Sequence, residues 1–255
     1  MRILFMGNNR LAWRVLEWMR GQGEQIVGLV VHTMERQRYR NEIVAASGVD
    51  ARGVFEGPDL IGPETLSAIR ALEPDLGVSV LFGHILKPDL LAAFPQGCIN
   101  LHPALLPHNR GAYPNVWSIV DRAPAGVTLH YMDIGIDTGD VVVQREVAVE
   151  PIDTGETLYR KLETASFDLF TEAWPRFKRG ELRRMPQDAS AGTYHALKEV
   201  ERIDRIDLDR DYKARDLLDV LRARTFPPYP SAYFEEGGHR VYVRVQLQYE
   251  DGDAQ

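Results

Sequence analysis

The chain holds one cysteine, Cys98, among 255 residues. That count excludes an internal disulfide and any cysteine-based zinc cluster, and no other ligand spacing suggests a metal. Long apolar runs are missing too. Met1-Arg-Ile-Leu-Phe-Met-Gly7 is too short for a signal h-region, and nothing approaches a membrane span. A lone thiol without a leader points to the cytoplasm. An excess of positive charge is also lacking: 30 Lys and Arg face 37 Asp and Glu, a formal net charge of −7. A surface built to hold a long nucleic acid needs clustered positive charge, so such a partner is disfavoured. Internal repeats and low-complexity segments are absent. Cys98, beside Ile99, reads as a small buried core residue.

What is present is ordinary for a globular protein, 44% apolar and 26% charged residues. The length allows one large domain, or one domain with a small appendage. Residues 2–6 form a buried-strand pattern ending at Gly7. Leu11, Val15, Leu16 and Met19 then recur at helical spacing, and the apolar run 26–31 follows. Strand, helix and strand at this density make a βαβ unit with a right-handed crossover. The turn Gly7-Asn8-Asn9-Arg10 lacks the second and third glycines of the pyrophosphate fingerprint, which disfavours NAD. A helix N-terminus there can still hold one phosphate beside Arg10, although a solvated arginine serves the same sequence.

Further strands are expected at 76–82 and 97–101, with helices at 41–47, 64–72 and 87–94. Strands 126–132 and 141–147 are joined by a loop so short that they should pair antiparallel. A long helix is expected from Asp153-Thr154, where Asp153 and Glu156 have capping-box spacing, to a stop near Pro175. Residues 176–190 are charged and should cross the surface. Beyond them come a helix at 212–224 and a hairpin turning at Gly237-Gly238. The expected fold is α/β, Rossmann-like and mostly parallel, with an antiparallel strand pair late in the core. Residues 1–190 should form the main domain and 191–255 a small α+β appendage.

The stretch 98–111 organises the rest. Asn100 and His102 are two residues apart and share one face of a strand, while Leu101 faces the other. Pro103 disfavours a helical conformation at His102, so the strand stays extended to that point. An amide and an imidazole before an irregular loop are how an open α/β sheet presents reactive groups. Spacing alone serves a turn-forming asparagine and a structural histidine equally well.

Three stretches in order give the chain a resemblance. They are Leu81-Phe-Gly-His-Ile-Leu86; Asn100-Leu-His-Pro-Ala-Leu-Leu-Pro107 with Arg110-Gly111 and Trp117; and His130 followed by Asp133-Ile-Gly-Ile-Asp-Thr-Gly-Asp140. Over roughly residues 1–180 the sequence resembles the formyltransferases that use 10-formyltetrahydrofolate. The resemblance implies Asn100, His102 and Asp137 as catalytic residues and requires no metal. Nothing in spacing alone joins Asp137 to the other two, and an aspartate before Thr-Gly more commonly caps its own hairpin turn. The resemblance places the pteridine of 10-formyltetrahydrofolate between Phe82, His84, Ile85 and Leu86 on one side and Asp133 and Ile134 on the other. His84 also reads as a strand-end histidine in solvent.

The family divides by the amine that accepts the formyl group. Members acting on methionyl-tRNA carry a C-terminal β-barrel and basic surfaces, and those acting on glycinamide ribonucleotide a glycine-serine phosphate loop. This acidic chain, with about 65 residues after its core, is more similar to the nucleotide-sugar N-formyltransferases of surface-polysaccharide synthesis. That likeness implies an NDP-linked amino-deoxysugar as substrate. Arg10 would meet its diphosphate, Tyr113 its sugar, and Tyr194 and Phe226 its base, with a homodimer contact available to the appendage. Trp117 sits at helical spacing and reads first as core. The rival reading is a folate- or nucleotide-sugar-binding protein without turnover, against which the three retained polar residues speak.

Overall fold

The computed structural model describes residues 1–250. Its strands are β1 (Arg2–Gly7), β2 (Gln25–Val31), β3 (Val54–Glu56), β4 (Leu76–Val80), β5 (Cys98–His102), β6 (Arg110–Gly111), β7 (Gly126–Tyr131), β8 (Val141–Glu146), β9 (Tyr194–His195), β10 (Tyr233–Glu236) and β11 (His239–Tyr242). The α-helices are α1 (Asn9–Gly21), α2 (Arg40–Ser47), α3 (Pro63–Ala71), α4 (Pro88–Leu91), α5 (Pro114–Val120), α6 (Gly155–Lys178), α7 (Glu201–Asp204) and α8 (Ala214–Ala223). Two compact units are built from interleaved segments. The first takes Met1–His102, Thr128–Gln144 and Ser166–Gln187; the second takes Pro103–Val127, Arg145–Ala165 and the chain from Asp188.

The large sheet has the order β3-β2-β1-β4-β5-β7-β8. β1 pairs parallel with β2 and β4, β2 with β3, and β4 with β5. β7 pairs antiparallel with β5, and β8 lies beside β7, with the Tyr131 N–H on the Asp140 carbonyl near the loop that joins them. This is the Rossmann-like, mostly parallel α/β sheet with late antiparallel pairing.

Helices cover both faces of a parallel sheet, so its strands bury side chains on each. Ile3 and Phe5 face one core with Leu11, Val15, Leu16 and Met19 of α1 and Phe170 and Trp174 of α6. Leu4 and Met6 face the other, with Phe82, Leu86, Leu90, Phe94 and Cys98. Each such large apolar side chain contributes about 1.5–3 kcal/mol when fully buried. Cys98 lies inside the second core with its sulfur 3.6 Å from that of Met132, and burial pushes its thiol pKa up.

Several boundaries differ from the sequence-based expectation. β4 stops at Val80 rather than Phe82, because Leu81 turns out of the strand at φ +52°. β3 was not expected: three half-buried residues carry too little pattern to read. α6 runs on to Lys178 through Pro175, held by the stacking of Phe170 on Trp174 and of Trp174 on Phe177. Its start is capped one residue later than Asp153. The Thr157 N–H donates to Thr154 Oγ1 at 3.3 Å, and the Thr157 hydroxyl oxygen accepts from the Thr154 N–H at 2.9 Å. Asp153 accepts from the same Thr157 hydroxyl at 2.9 Å, from Lys161 Nζ at 2.8 Å and from the Glu150 N–H at 2.7 Å.

In the second unit, Arg122 and Arg222 pair with the buried Asp219 of α8. β6 pairs with β9, and β10 with β11 in an antiparallel hairpin. The turn residues Gly237 and Gly238 have φ of +57° and +79°, the left-handed pair that a tight hairpin turn requires.

Candidate active site

Asn100 and His102 stand on β5 as the pattern of alternation requires. Leu101 and Ile99 enter the α1 and α6 core, so Asn100 and His102 face the side of Cys98 and Met132. The antiparallel register places His130 of β7 directly across from Asn100. Cross-strand partners project to the same face, and the three polar side chains are thereby brought together.

Asp137 reaches them by a less direct route. Tyr131, the last residue of β7, lies opposite Ile99, so the loop between β7 and β8 leaves from the far end of β5. It folds back across the sheet face to bring Asp137 Oδ2 within 3.6 Å of His102 Nε2 and Oδ1 within 3.6 Å of His130 Nε2. Asp133 Oδ1 accepts from the Gly135 N–H at 2.9 Å and the Thr138 hydroxyl at 2.6 Å. Gln187 donates to the Asp137 and Gly139 carbonyls at 2.9 and 2.7 Å. Asp137 sits at φ +54°, a conformation aspartate tolerates better than most residues. A side chain at Gly139 would meet the Tyr131 carbonyl at 2.0 Å. The charged segment after α6 thus does more than cross the surface: Met185 bridges to Val141, Arg184 covers the Tyr131 ring at 3.4 Å, and Gln187 clamps the loop.

Burial governs the charge of His130. His130 is 1% exposed, and burial lowers its pKa to about 4 against the opposing pull of Asp137; it is neutral at physiological pH. Its Nε2 lies 3.1 Å from Asn100 Nδ2 and its Nδ1 2.8 Å from the Tyr131 carbonyl. His102 is also buried, and its Nε2 has no hydrogen-bond partner among the described residues. An amide, an acid–base imidazole and a carboxylate facing one spot suit acyl transfer through a tetrahedral oxyanion. His130 carried part of the resemblance in the sequence but was given no role there; the cross-strand register puts it beside Asn100.

The segment expected to hold the pteridine follows β4. Phe82 and Leu86 are buried in the second core, against which Met132 also packs, whereas Ile85 and Ile134 are 62% and 77% exposed. Asp133 is exposed as well. Gly83 turns the chain at φ +66°. His32 Nε2 hydrogen-bonds to the Phe82 carbonyl, and the His32 and His84 rings lie 4.8 Å apart. Burial, their mutual repulsion and Arg36 lower the pKa of His84; burial leads for His32 as well. His84 is half-buried against Gly57 rather than free in solvent. Ile85 and Ile134 are thus the exposed apolar side chains among the residues expected to meet the pteridine.

The expected substrate contacts divide between the units. Arg10 is exposed on α1 of the first. In the second, Tyr113 and Tyr194 are 40% and 48% exposed, and the Phe226 ring packs on Tyr159 and Tyr229. Trp117 is core, stacked on His195 at 4.1 Å. Among the described residues, no group of three or more His, Cys, Asp or Glu side chains is arranged to hold a metal ion, and no helix is long and apolar enough to cross a membrane.

The arrangement has the groups that an acyl transfer would need. Comparison with known proteins names the group transferred. Residues 22–174 match the formyl transferase family, and residues 199–249 match the N-formyltransferase dimerization C-terminal domain. A methionyl-tRNA formyltransferase from Geotalea daltonii is 32% identical over 261 residues, covering 99% of this chain and 82% of the relative. A 4-N formyltransferase from Francisella tularensis superposes with a TM-score of 0.79 at 28% identity, covering 97% of this chain and 98% of that one. The formyltransferase PseJ from Anoxybacillus kamchatkensis, solved with UDP-4,6-dideoxy-4-formamido-L-AltNAc and tetrahydrofolate, is 32% identical over 79% of this chain and 89% of its own, with a TM-score of 0.57. The chain belongs to the formyl transferase family and is a formyl-transferring enzyme.

Proposed function

We propose that this enzyme moves the formyl group of 10-formyltetrahydrofolate to the amino group of a nucleotide-linked amino-deoxysugar. The carrying observation is that PseJ, 32% identical over 79% of this chain, was solved with a UDP-linked formamido sugar and tetrahydrofolate, while a 4-N formyltransferase matches the chain nearly end to end in both directions. The match of residues 199–249 to an N-formyltransferase dimerization domain supports the same reading. In this account residues 1–190 carry catalysis, and residues 191–255 join two copies. The setting is the cytoplasm, in the synthesis of surface polysaccharide.

Bound 10-formyltetrahydrofolate supplies the activated formyl group, held by Phe82 to Leu86 on one side and Asp133 and Ile134 on the other. Asn100 donates an N–H to the oxyanion that forms when the acceptor nitrogen adds to the formyl carbon. His102 takes the proton released by that nitrogen and passes a proton to the departing folate nitrogen. Asp137 favours the imidazolium that exists between the two transfers. Arg10, Tyr113, Tyr194 and Phe226 are the proposed contacts to the acceptor.

A second reading has its own support: the relative at 32% identity acts, by its name, on methionyl-tRNA. The net charge of −7 weighs against tRNA. Melting the protein with dTDP, UDP, GDP and CMP, and separately with tRNA, separates the two. A ligand at a hundredfold its dissociation constant stabilises by about 2.7 kcal/mol, which a melt resolves. A shift with one of the nucleotides and none with tRNA is expected; the reverse pattern overturns the sugar assignment.

A further inference from the structure

A terminal amide such as that of Asn100 can sit in either of two orientations, which exchange a donor for an acceptor. Only one of them offers an N–H to an oxyanion. The neighbour that decides between them is His130, whose two ring nitrogens are both engaged. Nδ1 lies 2.8 Å from the Tyr131 carbonyl oxygen, and a carbonyl can only accept, so Nδ1 carries the proton. In a neutral imidazole the other nitrogen is then an acceptor. The ring is held neutral by burial. The Asn100 atom 3.1 Å from Nε2 must therefore be the NH2 group.

Building on the function proposed above, we propose that His130 is a positioning residue that locks the Asn100 amide in its donor orientation. One N–H of Asn100 is engaged by His130 Nε2. The second is fixed in the same amide plane and is left for the oxyanion. With an apolar residue at position 130, the amide is free to turn its oxygen toward the developing negative charge. The β5–β7 register that sets His130 opposite Asn100 makes the lock part of the sheet rather than of a loop. His130 itself neither gains nor loses a proton during the transfer.

The test uses the full chain carrying His130→Leu or His130→Gln. The glutamine oxygen can accept the same hydrogen bond; leucine cannot. Two readouts are taken: steady-state formyl transfer, and the side-chain amide signal of Asn100 in protein with 15N-labelled asparagine, assigned by its loss in Asn100→Asp. His130→Leu is expected to lower kcat about 100-fold, the scale of losing one oxyanion donor, with KM for both substrates nearly unchanged. It should also erase the downfield shift of the hydrogen-bonded amide proton. His130→Gln is expected to recover kcat to within about tenfold of wild type and to keep that shift. A leucine variant with wild-type kcat, or a glutamine variant no better than leucine, overturns the proposal. If the leucine variant does not fold, the glutamine variant decides alone: loss of its shifted amide proton contradicts the lock, and retention with near-normal kcat supports it. Should wild-type protein transfer no formyl group, the functional reading fails, while the amide signal still tests the lock.

Discussion

Nε2 of His102 stands 3.6 Å from Oδ2 of Asp137, beyond a good hydrogen bond yet near enough for a half-buried carboxylate to stabilise an imidazolium. The distance suits a pair that tightens when His102 gains a proton, since catalytic contacts are often long before substrate binds. Asp137→Asn keeps the shape and removes the charge. It is expected to lower kcat by about 10²-fold or more with little change in KM, the range in which positioned acid–base groups act. Steady-state kinetics at saturating folate check this.

The loop that carries Asp137 is fixed as much by what it excludes as by its hydrogen bonds. Any side chain at Gly139 meets the Tyr131 backbone at 2.0 Å, which cannot yield without parting the end of β7 from β8. Gly139→Ala is expected to displace the loop, lower the melting temperature and reduce kcat by more than about tenfold, since a misplacement near 1 Å at a reacting group can cost about 100-fold. Differential scanning fluorimetry and an activity assay read both effects.

His130 also makes folding depend on pH. Its pKa is about 4 in the folded protein, lowered from 6.5 by burial. As pH falls from 6.5 toward 4, the unfolded chain takes up a proton that the folded chain refuses, so stability declines through that window and this contribution is constant below it. Denaturant melts at a series of pH values should show this slope in the wild type and a flatter one in His130→Gln.

Thr154 and Thr157 close the start of α6 with a reciprocal pair of hydrogen bonds. Thr154→Ala should destabilise the protein by about 1 kcal/mol, the usual cost of a lost cap, without altering kcat. Urea unfolding followed by circular dichroism measures it.

Much of the architecture was legible because it rests on periodicity. The buried run 2–6, the helical spacing from Leu11 to Met19 and the Gly237-Gly238 turn each carry a local physical signal. Asn100 and His102 could be placed on one face from strand alternation alone. Asp137 could not, since a loop that folds back across a sheet leaves no trace in spacing, and it entered through resemblance. His130 was visible as part of a motif, but its contact with Asn100 was not, because it depends on register between strands 30 residues apart. Gln187 and Arg184 were hidden in a charged segment that reads as surface. The Asp153 cap was displaced by one residue because Thr154 and Thr157 form the same motif with hydroxyls on both sides.

The central claim is formyl transfer to a sugar amine, and the direct measurement offers the wild-type enzyme both kinds of acceptor. Protein is mixed with 10-formyltetrahydrofolate and either a panel of dTDP- and UDP-linked amino-deoxysugars or methionyl-tRNA. Release of tetrahydrofolate is followed by absorbance, and the product is identified by mass spectrometry. The account predicts a formamido sugar nucleotide, with release abolished in His102→Ala. Transfer to methionyl-tRNA with no product from any amino sugar would contradict it.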